Sequence, residues 1–137
     1  MKIISGKYKG RVIKGFDIEG TRPTMDRVKE SLFATINSEI KGSRVLDLFA
    51  GTGSLGLEAI SNGAISVTFV DKNHKCIETI KKIVNVISPS EEVEYLNKDY
   101  LKALEELGSF DIIFLDPPYH EMLLNKAIKK IEELNIL

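Results

Sequence analysis

Apolar residues recur along this chain at two periods, and the change between them divides it. Over 2–5 and 11–14, short strand-like runs flank Gly6-Lys7-Tyr8-Lys9-Gly10, a glycine-bracketed loop that predicts a β-hairpin. Thr21-Arg22-Pro23-Thr24 then reads as a loop. Val28, Leu32, Phe33 and Ile36 follow at helical spacing through about Ser38, with Thr24 or Asp26 able to cap that helix. From Ser43 onward strand and helix patterns alternate, predicting strands over 44–48, 66–70, 93–96 and 111–115 and helices over 55–62, 74–87, 100–107 and 121–134. Apolar strands separated by helices predict an α/β fold: a doubly wound, mostly parallel, Rossmann-like sheet with helices on both faces. Its ligand crevice opens at the carboxyl ends of the strands. The expected division is an N-terminal hairpin-and-loop extension over 1–24 and a ligand-binding domain over 25–137.

At 137 residues, 43% hydrophobic and 28% charged, the chain fits one domain with its own core. It holds no run of about 18 apolar residues and no signal-peptide core, so a cytoplasmic protein without a membrane partner is expected. A single cysteine, Cys76, permits neither an internal disulfide nor a cysteine-based zinc site, and His74 has no second ligand at a useful spacing, so no metal is expected. Charge changes the picture more. The net charge is −1, but residues 1–29 carry eight basic and three acidic side chains, leaving +5 there and −6 in the remainder. A basic arm beside an acidic body suits a polyanion, although a solvated basic hairpin would look the same.

Candidate chemistry clusters at the predicted strand ends. After Val45-Leu46-Asp47-Leu48-Phe49-Ala50 come Gly51, Gly53 and Gly56, which allow a tight turn, close approach to a ligand and close helix packing. The glycine spacing alone also matches a dinucleotide fingerprint. Asp47 shifts the balance, because a carboxylate four residues before the first glycine would repel a pyrophosphate and welcome an ammonium or a sulfonium. It could instead merely order the loop. Asp71, ending the second strand, can accept both hydroxyls of a ribose. Asp99, at the end of the third, can accept from an adenine amino group or cap the next helix.

The fourth strand ends in Asp116-Pro117-Pro118-Tyr119. Proline has no amide donor and holds its predecessor extended, so the carbonyls of Asp116 and Pro117 lose their neighbouring donors. With a carboxylate and a flat ring added, the segment can accept hydrogen bonds from an amino group while stacking on the base that carries it.

Together these residues resemble the class I S-adenosylmethionine-dependent methyltransferases that modify exocyclic amino groups. Ile4-Ser5-Gly6-Lys7-Tyr8-Lys9-Gly10-Arg11 and Thr21-Arg22-Pro23-Thr24-Met25-Asp26-Arg27-Val28-Lys29-Glu30 narrow the resemblance to the bacterial RsmD family, which methylates the N2 amino group of a guanine in 16S ribosomal RNA. The resemblance implies S-adenosyl-L-methionine as cofactor, contacted by Asp47, Phe49, Gly51, Gly53, Asp71 and Lys72. It adds Asp99, Tyr100, Asp116, Arg22 and Thr24 to that set. It implies catalytic roles for Asp116, Pro117 and Tyr119, and ribosomal RNA or a partly assembled small ribosomal subunit as partner. Lys7, Lys9, Arg11, Lys14 and Arg27 are the candidates for RNA contact, while the segment around Arg22 could serve only the start of the helix. Members of the family continue past the helix at 121–134, so the resemblance predicts a C-terminally shortened chain whose fourth strand stands at an exposed edge.

Other readings keep the same residues. A DNA amino methyltransferase or a protein glutamine methyltransferase would use the same Asp-Pro-Pro-Tyr platform, a nicotinamide oxidoreductase would use the glycine loop and Asp71, and a non-catalytic RNA-binding module would need only the basic arm.

Overall fold

A computed structural model of the chain describes residues 3–10, 26–87, 89–117 and 121–137, with the side chains of 26–28 and 121 outside the description. Four strands, β1 (Arg44–Asp47), β2 (Ser66–Val70), β3 (Glu92–Leu96) and β4 (Ile112–Phe114), form a wholly parallel sheet in the order β3-β2-β1-β4. Asp47, the last residue of β1, sits level with Phe69 on one side and Phe114 on the other. The strand order reverses at β1, so the crevice between the ends of β1 and β4 is the topological switch point of the described sheet. β4 lies at the edge of that sheet.

Side-chain alternation along the strands produces two cores. Val45, Val67 and Phe69 face one layer with Phe33 and Ile40 of α1 (Asp26–Ile40), Leu57 and Ile60 of α2 (Ser54–Ser61), and Ile77 and Ile80 of α3 (His74–Ile87). Leu46 and Val70 face the other with Leu104 of α4 (Tyr100–Glu106) and Ala127 and Ile131 of α5 (Glu121–Leu134). This is the doubly wound arrangement the strand-helix alternation predicts. Periodicity explains α3, whose Ile77, Ile80, Val84 and Ile87 form one buried stripe. α5 ends where Asn135 takes a left-handed conformation, φ 52°, letting the Ile136 amide return to the Ile131 carbonyl at 3.5 Å.

Every residue of α2 is buried. The helix lies against the sheet through Gly56, where an added Cβ would come within 2.3 Å of the Phe69 ring and 3.1 Å of Val67.

The amino-terminal arm departs from the expected strand. Residues 3–5 carry no strand; the amides of Ile4 and Ser5 instead donate to the Glu58 carboxylate at 3.0 and 2.9 Å. Residues 3–10 close on themselves as a turn through the Gly10 amide and the Ile3 carbonyl, 2.8 Å apart. The other arm of the expected hairpin, 11–14, lies outside the described residues.

Since Phe69 is wholly buried and stacked on Tyr95, Gly56→Ala has no cheap relaxation. It is expected to cost about 1–3 kcal/mol of unfolding free energy, read from urea denaturation.

Candidate active site

Where β1 ends, its backbone donors pass from strand partners to loop partners. Leu48 donates to the Phe114 carbonyl at 3.2 Å and Ala50 to the Val70 carbonyl at 2.9 Å, so both neighbouring strands hold the segment beyond Asp47. The Gly51 amide donates to Asp71 Oδ2 at 2.9 Å, and Gly53 closes the turn onto the Ala50 carbonyl at 2.7 Å. Gly53 has φ 77°, and a Cβ there would lie 2.9 Å from Ile80. Both backbone conformation and space therefore require glycine. The Gly56 amide, in the first turn of α2, points back to Asp47 Oδ2 at 3.1 Å.

Carboxylates converge on this turn from three strands. Asp47 is 1% exposed. Burial pushes its carboxyl up to about 7, and the nearby charges of Asp116 and Asp71 push the same way against the Gly56 hydrogen bond. Asp71 is half-buried and bridges two loops, Oδ2 accepting from Gly51 and Oδ1 from the Asn73 amide at 2.8 Å. Asp116 and Pro117, half-buried, follow β4 at the switch point. Asp47 thus does order the loop, and its carboxyl is buried rather than exposed.

Beside this group, the rings of Phe49 and Tyr100 meet at 5.1 Å, tilted by 42°, and both pack on the second core. Asp99 caps α4, accepting from the Leu101 amide at 3.2 Å, so its capping role is realised. Lys72 is exposed; its carbonyl and that of Asp71 accept from the Asn97 side chain at 3.1 and 3.0 Å, which joins the β2 and β3 loops. Arg11, Lys14, Arg22, Thr24, Pro118 and Tyr119 lie outside the described residues, and Arg27 is described only as part of α1.

The described part of the arm, residues 3–10, packs at the other end of α2 from the glycine loop. Lys7 and Tyr8 donate backbone hydrogen bonds to Ser61 at the far end of α2, about 12 Å from the glycine loop by helix rise. The Lys7 ammonium pairs with Glu91, while Lys9 is exposed. Lys29, counted among the basic residues of 1–29, is wholly buried against Glu58 at 3.2 Å and Ser54 Oγ at 2.8 Å. Sequence reasoning missed this pair. The signals were there: Lys29 shares the helical stripe of Leu32, Phe33 and Ile36, and Glu58 is the lone charge in a helix of apolar and small residues.

A family model described as conserved hypothetical protein 95 matches residues 1–137. Ribosomal RNA small subunit methyltransferase D of Haemophilus influenzae is 41% identical over 141 residues, an alignment covering 100% of this chain and 73% of that protein. The chain belongs to the RsmD methyltransferase family. YlbH of Bacillus subtilis is 40% identical, covering 100% of this chain and 77% of its own length. Among solved structures, yhhF of Escherichia coli superposes with a TM-score of 0.86 at 32% identity, covering 98% of this chain and 74% of that one. The parallel sheet and the loop after β1 are thus the Rossmann-like architecture of RsmD-family relatives.

Asp47 binds its proton more tightly in the native state than in the unfolded chain, so its contribution to stability declines as pH rises from the ordinary carboxyl value toward about 7. Asp47→Asn cannot ionise and keeps an acceptor for Gly56. Its stability relative to wild type is expected to improve by roughly 2 kcal/mol between pH 5 and pH 8, measured by denaturant unfolding at both. A pH-independent difference would show that Asp47 ionises normally.

Proposed function

We propose that this chain is an S-adenosyl-L-methionine-dependent methyltransferase acting on the exocyclic N2 amino group of a guanine in 16S ribosomal RNA. The observation that carries the reading is the gathering of Asp47, Asp71 and Asp116 at the ends of β1, β2 and β4, around a glycine loop held in left-handed conformation. RsmD-family relatives that are ribosomal RNA small subunit methyltransferases by name supply the RNA class.

The residues fit the cofactor. Acidic groups at the ends of three adjacent strands disfavour a pyrophosphate, and with it a nicotinamide dinucleotide, and suit a ligand bearing cationic groups. Each oxygen of Asp71 accepts one backbone amide, and a carboxylate has about four acceptor positions, leaving capacity for ribose hydroxyls. Asp99 likewise caps α4 through Oδ2 alone among its hydrogen bonds described. Phe49 and Tyr100 offer an aromatic wall, and Gly51 and Gly53 allow close approach. Lys72, Arg22 and Thr24 complete the proposed cofactor contacts. When bound, S-adenosyl-L-methionine supplies an already activated methyl group.

The protein's own task is placement and charge. A guanine amino lone pair is delocalised into the ring and is a poor nucleophile. Accepting its two hydrogens at the Asp116 carboxylate and the Pro117 carbonyl favours a pyramidal nitrogen and stabilises the positive charge that develops there. Asp116 can take the proton once nitrogen is cationic. Tyr119 stacks on a base that has left the RNA stack. Lys9, with Lys7, Arg11, Lys14 and Arg27, contacts phosphates.

Magnitudes order the roles: a positioned group facing developing charge is worth roughly 2.7–4 kcal/mol in the chemical step, whereas stacking supplies about 1–3 kcal/mol per base. Asp116→Ala is therefore expected to lose almost all single-turnover methylation even at saturating cofactor; Tyr119→Ala should be weakened and Tyr119→Phe near normal. Near-normal methylation by Asp116→Ala would sink the assignment. The substrate is tested by mapping ribosomal RNA from cells lacking the gene, where one unmethylated guanine N2, restored on complementation, is expected. For RNA contact, Lys9→Glu should weaken binding and flatten its salt dependence, with Lys7→Glu smaller because Glu91 already engages that ammonium; unchanged salt slopes would remove the arm from the interface.

A further inference from the structure

The Lys29–Glu58 pair joins three segments that share no secondary structure. The Lys29 ammonium, from α1, reaches Ser54 Oγ, the residue directly after Gly53 of the glycine loop, and Glu58 Oε1 in the middle of α2. Glu58 in turn holds the arm: Oε1 accepts from the Ile4 amide at 3.0 Å, and Oε2 from the Ser5 amide at 2.9 Å and the Ser5 hydroxyl at 2.5 Å. Both charged side chains are 0% exposed.

Stability alone gives this arrangement little reason. Burying two ions sacrifices their hydration, and well-packed apolar side chains of similar size commonly do as well or better. What apolar side chains would not do is fix direction. Charge-assisted hydrogen bonds tie α1, α2 and the arm together, because losing any partner would leave a buried charge unsatisfied.

We infer that Lys29 and Glu58 are positioning residues that couple occupancy of the glycine loop to the N-terminal arm. The inference rests on the reading above that the loop holds S-adenosyl-L-methionine and that the arm faces RNA. A ligand that fixes residues 51–54 fixes the Ser54 hydroxyl, and through it the ammonium of Lys29, the carboxylate of Glu58 and the amides of Ile4 and Ser5. The arm is thereby ordered for RNA when the cofactor is in place. By reciprocity, RNA that orders the arm tightens the cofactor.

Ser54→Ala is the discriminating variant, since it cuts the link to the loop and leaves the ion pair to hold the fold. Amide hydrogen exchange is followed in the full chain with and without S-adenosylhomocysteine, with α5 amides reporting general stabilisation by ligand. In wild type, exchange at Ile4 and Ser5 is expected to slow about fivefold or more beyond that general effect. In Ser54→Ala the ligand should still protect the glycine-loop amides and leave the excess protection of Ile4 and Ser5 lost. Lys29→Arg, which keeps charge and donors, should retain part of it. Equal excess protection in wild type and Ser54→Ala overturns the role of Lys29 and leaves α2 itself as the connection, and loop protection in wild type with none at Ile4 and Ser5 overturns the coupling outright. If S-adenosylhomocysteine protects nothing in wild type, the cofactor reading itself fails and the coupling falls with it.

Discussion

Once β1 ends, the amides that follow must find acceptors, and most of the site's geometry is the solution to that requirement. Two go to neighbouring strands, at Phe114 and Val70, which binds the loop to β4 and β2 together. Two more go to carboxylates, Gly51 to Asp71 and Gly56 to Asp47. The acids that suit a cationic ligand are thus also the acids that build the turn. Replacing either would alter both shape and charge, so their structural and chemical roles cannot be separated by deletion alone.

A division of labour follows between the two ends of α2. Its amino end carries the loop and its three acidic neighbours. Its carboxyl end receives the arm through Ser61, and its middle receives it through Glu58. The helix has no exposed residue, so it behaves as a buried strut between the proposed cofactor site and the proposed RNA-facing segment. Gly56, pressed against Phe69, fixes how closely that strut lies on the sheet.

Much of this was legible in the sequence because it depends on local pattern. The helices over 74–87 and 121–134 were set by apolar periodicity and fall where expected, and the strands differ only at their ends. The strand-end acids were legible because parallel sheets present ligands at carboxyl ends. What local pattern could not show was pairing across distance. Lys29 looks like one more basic residue until its partner 29 positions later is known. The arm looks like a strand because an extended backbone and a strand share alternation, whereas its amides are satisfied by one side chain. Likewise, Lys7 reads as a free cation until Glu91 is brought beside it.

Glu58 also imposes an order of events on folding. Its amide partners lie 54 and 53 residues earlier in the chain, so during synthesis the arm is made long before the helix that must receive it. Until α2 forms and settles on the sheet, Lys29 and Glu58 remain hydrated charges, and docking the arm on Glu58 requires a loop of more than fifty residues to close. The arm thus depends for its place on a helix made after it, and in the folded chain it completes the burial of Glu58.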